Sequence, residues 1–225
     1  MSKIYLPATN AEQWSLFLAE PHKHWRKGFS ARSLAYSWQE AEGFPSEIHA
    51  LFVETAPFCD IELLLALPEH QVALPGGSRP SQSDVWALAR AAGKLVSITV
   101  EGKVMEPFGP TMDEWLAEAS AGKDARLAYL CAQLGLSVPL PGDMRYQLLH
   151  RAASAVIEAR RFTASHAVML VHSFSQTDEW FSDFAAFVLL FGSQAAVGKL
   201  VSARSASDVT LHFGWVRGNP AYLAK

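Results

Sequence analysis

Residues 84 to 103, DVWALARAAGKLVSITVEGK, restrict the fold more than any other stretch of the chain. Two apolar, strand-forming runs flank an Ala-Gly pair, the pattern of an antiparallel hairpin with a tight turn. Facing positions in such a hairpin have a constant sum, so a turn centred between Ala92 and Gly93 places Asp84 opposite Glu101. The same register aligns Val85, Ala87 and Ala89 with Val100, Ile98 and Val96, one wholly apolar face suited to packing against helices. The opposite face then carries Asp84, Glu101 and Lys103 together. A turn shifted by one residue sets Asp84 against Gly102 and destroys this match, and AAGK alone does not select the turn type.

Carboxylates that face each other across neighbouring strands repel unless a cation stands between them. Oxygen ligands with retained water suit Mg²⁺ or Mn²⁺. Such an ion polarises a phosphoryl oxygen and acidifies a bound water, and an adjacent ammonium, here Lys103, positions that water or stabilises developing negative charge. The competing reading is a cross-strand salt bridge on a solvated hairpin. An acid two residues before a lysine is weak evidence alone, since about one such pair is expected by chance in a chain of this composition; the register is what gives it weight.

The remaining pattern alternates helices and strands. Helices are expected at Ala11 to Ala19, around Ala31 to Glu42, and in PSEIHALFVET with Pro45 as its first residue. A strand is expected around Leu63 to Leu67, a break at Pro68, and a second extended piece ending at Pro75 to Gly77. Thr111 and Glu114 have the spacing of a capping box that opens a helix. Another helix is expected from Asp124 to Leu134, and a loop from Ser137 to Asp143. MRYQLLHRAASAVIEARRF reads as an amphipathic helix with Leu148, Ala152, Ala155 and Ala159 on one face. HAVMLVHSF reads as a buried strand, followed by the helix EWFSDFAAFVLLFG and the strand DVTLHFGWV. The order predicts an α/β fold, a mixed sheet flanked by helices. An N-terminal helical segment, residues 1–44, would pack on a core formed by residues 45–225.

The 225 residues carry a formal net charge of −3, so contact with a polyanion must come from a local basic patch. Cys59 and Cys131 are isolated, which argues against a zinc ribbon or disulfide framework and for two reduced, buried thiols. The start, MSKIYLPATNAEQWSLFLAE, lacks the apolar run of a signal peptide. FAAFVLLF, the longest later apolar stretch, is far short of the ~20 residues of a membrane span. A soluble, cytoplasmic protein is expected, with no membrane partner.

Asp84 followed by Glu101-Gly102-Lys103 at the end of an apolar strand resembles the PD-(D/E)XK nuclease superfamily, whose restriction-endonuclease-like core carries such a hairpin. Ser83 stands where the superfamily name has proline. The resemblance implies a nuclease in which Asp84, Glu101 and the backbone carbonyl of Gly102 bind Mg²⁺ or Mn²⁺ and Lys103 assists the attacking water. RYQLLHR resembles a helix of exonuclease-type members, which implies that Gln147 lies near the metal, with His150 in place of the usual tyrosine and one position early. The superfamily tends to supply a glutamate from the helix before the first core strand; Glu47 or Glu54 on the PSEIHALFVET helix could serve, as could Glu69 beside the break at Pro68, and the sequence does not choose between them. LPGG, VEGKV, EPFGPT and RYQLLHR also resemble an uncharacterised bacterial family over about Pro68 to Phe174, which implies a fold but no reaction.

PHKHWRKGFSAR combines Lys23, Arg26, Lys27 and Arg32 with Trp25 and Phe29, a mixture suited to phosphate contact and base stacking, or equally to a solvated helix end. His22 and His24 lack a third ligand for zinc. Arg145, Arg151, Arg160 and Arg161 add positive charge around the long helix, where Gln147, His150, Arg151, Ser154 and Glu158 lie near one stripe that could wall a cleft. VHSFS lacks the elbow of a serine nucleophile, and GKLVSARS lacks the glycines of a phosphate loop; both read as structural. Two readings therefore stand. One is a metal-dependent phosphodiester hydrolase acting on nucleic acid, DNA ahead of RNA, with Asp84, Glu101, Lys103 and Gln147 as its site and Arg145, Arg151, Lys23, Arg26 and Lys27 as nucleic-acid contacts. The other is a non-catalytic interaction protein on the same fold. The oligomeric state stays open, a homodimer included.

Overall fold

Residues 8–203 and 208–225 are described by the computed structural model. Three antiparallel strands open its sheet, β1 (Glu62–Val72), β2 (Ser81–Ala91) and β3 (Lys94–Lys103), followed in the chain by β4 (His166–Ser173), β5 (Leu200–Ser202) and β6 (Thr210–Arg217). The order across the sheet is β1-β2-β3-β4-β6-β5. β3, β4 and β6 run parallel to one another, and β5 closes the far edge antiparallel to β6. The hairpin takes the expected register, with Val85 opposite Val100, Ala87 opposite Ile98 and Ala89 opposite Val96. Its turn has positive φ at both central residues, 48° at Ala92 and 74° at Gly93, the type I′ geometry whose twist matches the strands. Asp60 Oδ1 accepts the Ala92 N–H at 2.8 Å and anchors the turn.

Pro68 does not break β1, contrary to the expectation of two pieces: the strand continues through it, with Pro68 opposite Val85. β1 is an edge strand, where proline's missing N–H costs no ladder bond. The sequence pattern does not predict the short edge strand β5; it takes up the middle of GKLVSARS, whose last residues lie outside the described ones, as do the first seven residues of MSKIYLPATNAEQWSLFLAE.

α1 (Pro21–His24) packs beside α2 (Ser30–Glu40), and α2 and α3 (Ser46–Val53) cover one face of the sheet. The expected first helix is instead a 3₁₀ turn, Ala11–Phe17, and Pro45 stands at the N-cap of α3 rather than inside it. Trp38, Phe52 and Phe58 pack there against Val85, Ile98, Val100 and Leu170, and Ala8, Ala11 and Trp14 join the same core. Gly102 lets α2 approach: a Cβ there would lie 3.3 Å from Leu34 Cδ2.

The connection from β3 to the parallel strand β4 crosses the other face and carries α4 (Met112–Leu116), α5 (Ala121–Leu134) and α6 (Tyr146–Arg161). α4 opens with the predicted capping box, Thr111 and Glu114 exchanging both bonds. On α6 the stripe Leu148, Ala152, Ala155 and Ala159 is fully buried, and small residues let the helix lie close to the sheet. α7 (Phe181–Leu189) packs Phe184 and Phe187 against Phe213 and Trp215 of β6. Among the described residues no helix is long and apolar enough to cross a membrane. Cys131 is buried, but Cys59 is exposed, contrary to expectation, because it sits in the loop before β1 rather than in an element.

Candidate active site

Side-chain alternation puts Glu101 and Lys103 on the α6 face of β3, and the crossover lays the first turns of α6 over them. Both are buried, at 3% and 4% exposure. Glu101 Oε1 accepts from Lys103 Nζ at 2.9 Å and from Gln147 Nε2 at 2.7 Å, while its Oε2 accepts from Arg151 Nε at 2.6 Å. The Gln147 carbonyl faces Lys103 Nζ at 3.4 Å, so the amide bridges acid and ammonium. Lys103 Nζ also lies 4.8 Å from the centre of the Phe108 ring. Burial acts to raise the Glu101 pKa, but Lys103 and Arg151 together outweigh it and hold the carboxyl down at about 2.

Asp84, at the start of β2, is only half-buried, and its Oδ2 accepts the Gly102 N–H at 2.7 Å. The neighbouring carbonyl of Lys103 bonds across to Phe174 N–H at 2.7 Å on the β4 side. Successive strand residues point their backbone groups to opposite sides, so the Gly102 carbonyl, like its N–H, faces the Asp84 side. Glu69 supplies a third carboxylate. Its position on β1 is flanked by the pairs Pro68–Val85 and His70–Ser83, which sets it beside Asp84. Glu69 adopts φ 52°, rare for a residue with a side chain, and its Oε2 accepts from Gln82 Nε2 at 2.7 Å. Burial, then the mutual repulsion of the two acids, raises the Glu69 pKa to about 8; burial, then Glu101, raises Asp84 to about 7.

These groups form the floor of a cavity of about 500 Å³. His150 lines it, with Nδ1 2.8 Å from Ser81 Oγ and 3.2 Å from Arg151 Nη1. An arginine N–H can only donate, so Nδ1 is an acceptor, and burial together with Arg151 keeps the imidazole neutral by lowering its pKa well below 6.5. The lining carboxylates Glu69, Asp84, Glu101 and Glu106 outnumber the cations Lys103 and Arg151.

Asp84, Glu101, Lys103, Gln147 and His150 line one cavity, with the Gly102 N–H bonded to Asp84, and of the three glutamates Glu69 is the one beside Asp84, on a strand rather than on the helix before it. Glu47, in the first turn of α3, is elsewhere, bonded to His172 Nε2 at 2.9 Å, and Glu54 is exposed near Lys199. Arg151, expected as a phosphate contact, lines the cavity with its guanidinium engaged by Glu101 and, at 3.2 Å, by Ser81 Oγ. Its place one helical turn after Gln147 was the available signal for this inward role. Arg145 is likewise engaged, with Asp183 at 2.5 Å and the Gly109 carbonyl at 2.9 Å. Lys23, Arg26 and Lys27 remain exposed, while His24 from the same segment reaches the cavity. Ser154 bonds back to the His150 carbonyl, and Glu158 is buried 3.4 Å from His70.

Among the described residues no three His, Cys, Asp or Glu side chains are grouped tightly enough to hold a metal ion by themselves. Comparison with curated proteins and with solved structures returns no match. The profile of one family covers residues 7–220, nearly the whole chain, and the protein therefore belongs to that family, described as a domain of unknown function (DUF6946).

Proposed function

We propose that the protein is a metal-dependent phosphodiester hydrolase, a nuclease with DNA as its favoured substrate. The observation that carries this reading is the convergence of Asp84, Glu101, Lys103 and Gln147, from two strands and a crossover helix, on one cavity floor. The sheet order and the resemblance of Asp84 and Glu101-Gly102-Lys103 to the PD-(D/E)XK superfamily support a restriction-endonuclease-like core.

The donor set fits a hard cation. Asp84, Glu101 and the Gly102 carbonyl are all oxygen ligands, and Mg²⁺ binds through one or two carboxylates while retaining waters. Asp84 and Glu69 are also acids that the two buried cations do not fully neutralise. The ion, when bound, supplies Lewis acidity toward the phosphoryl group and an acidified water. Lys103, fixed by Glu101 and Gln147, holds the attacking water and stabilises charge on the phosphoryl oxygens. Water oxygen bonds to phosphorus, one P–O ester bond breaks, and the departing oxygen takes a proton, giving a monoester and an alcohol. Arg151 keeps Glu101 ionised and oriented. Lys23, Arg26 and Lys27 are exposed on the segment that brings His24 to the cavity, and a cytoplasmic, membrane-free setting suits such a substrate.

One observation favours the non-catalytic reading: Glu101 already accepts three hydrogen bonds from protein donors. Cleavage of linear, single-stranded and structured DNA in Mn²⁺ by the wild type, Asp84→Asn and Lys103→Met separates the two. The hydrolase reading expects divalent-dependent cleavage that both variants abolish, and cleavage unchanged in both sinks it. Calorimetry showing no Mn²⁺ binding at millimolar metal supports an interaction protein with a salt-bridged remnant.

A further inference from the structure

The walls of the cavity select what can reach its floor. On one side stand Leu18, His24 and Ser30; on the other stand Pro107, Pro110 and Tyr146. β1 and β2 close a third side through Glu69 and Gln82. Between them Glu101 and Lys103 are almost wholly buried, so a scissile phosphate must descend into the pit rather than rest on its rim.

The size of the pit limits the visitor. A volume of about 500 Å³ corresponds to a space ~10 Å across, narrower than the ~12 Å major groove of B-DNA alone. It falls in the range of small-molecule sites, ~300–1,000 Å³. The floor of such a space fits one extended strand better than a continuous duplex.

The walls are also tied together. α2 begins without a side-chain cap of its own, because Phe29 occupies the N-cap. Glu106 does that work from the opposite wall: Oε1 accepts the Ser30 N–H at 2.9 Å, and Oε2 accepts the Val104 N–H at 2.8 Å. Trp180 holds the same loop through the Met105 carbonyl at 2.8 Å. A carboxylate at the first turn of a helix is favourable for the exposed N–H groups and the helix dipole. Widening the pit breaks this link.

We propose that the site admits a single polynucleotide strand and excludes continuous duplex, with Glu106 as the residue that holds the entrance at that width. This rests on the hydrolase reading for its substrate chemistry, and strand admission can be measured apart from it. Fluorescence anisotropy and cleavage in Mn²⁺ are compared for a single strand, as DNA and as RNA of one sequence, and for a covalently closed DNA duplex. Unpairing a duplex to enter costs a few kcal/mol, so either single strand is expected to bind and react about tenfold to a hundredfold better. Glu106→Ala unties the walls and lowers that preference at least about threefold, while Glu106→Gln, which keeps an acceptor, retains most of it.

A closed duplex handled as well as the single strand overturns the proposal. So does failure to bind either, or a preference that Glu106→Ala leaves unchanged. Selective binding of single strand without cleavage supports strand admission and overturns the hydrolase reading alone.

Discussion

Replacing Asp84 by asparagine stabilises the metal-free protein at alkaline pH, although it removes a residue of the site. The Asp84 carboxyl is raised from 3.8 to about 7, first by burial and then by the charge of Glu101. The folded protein therefore keeps this proton up to about pH 7, whereas the unfolded chain releases it near 3.8. The native state holds more protons across that window, so stability falls as pH rises through it. At about 1.4 kcal/mol per unit the ceiling of the loss is roughly 4 kcal/mol. Asp84 is partly open to solvent and shares its repulsion with Glu69, and screening reduces the figure to about 2 kcal/mol. The amide in Asp84→Asn still accepts the Gly102 N–H but carries no charge. Urea unfolding followed by Trp fluorescence in EDTA is expected to show wild type and variant alike near pH 4 and the variant about 2 kcal/mol more stable at pH 8. On the proposed metal-binding role of Asp84, millimolar Mn²⁺ is expected to reverse the order by stabilising only the wild type. A variant that is no more stable at pH 8 than at pH 4, relative to wild type, refutes the account of Asp84 as an under-neutralised buried acid.

Two further outcomes follow from the same geometry. Arg151→Met leaves Glu101 without its Oε2 donor in a buried setting, and thermal unfolding is expected to show a loss of about 3 kcal/mol; a loss under about 1 kcal/mol means the pair is not structurally coupled. Ala92→Asn places a residue that tolerates the left-handed region at φ 48°, and urea denaturation is expected to show a gain of about 1 kcal/mol, with no gain disproving strain at the turn.

The hairpin and its register were legible because side-chain alternation has a period of two, and a slip of one residue would have turned Asp84, Glu101 and Lys103 away from each other. α6 was legible for a similar reason, from Leu148, Ala152, Ala155 and Ala159 at helical spacing. Pro68 misled because its effect depends on whether a strand is central or at an edge, and local sequence does not encode that position. The first helix misled because the 3₁₀ turn Ala11–Phe17 has the same apolar spacing as a short α-helix.

For the site, local pattern determined which residues on the hairpin share a face and that Gln147 lies near the start of a helix after it. The tertiary structure alone decided that the parallel crossover from β3 to β4 carries α6 across that face, which brings Gln147 and Arg151 to Glu101. It also decided that Glu69, on a neighbouring strand, is the third acid while Glu47 pairs with His172. Periodicity reports which way a side chain points within its own element. Which charge meets which depends on how elements far apart in the chain pack, and their burial then turns an ordinary set of acids and bases into one coupled site.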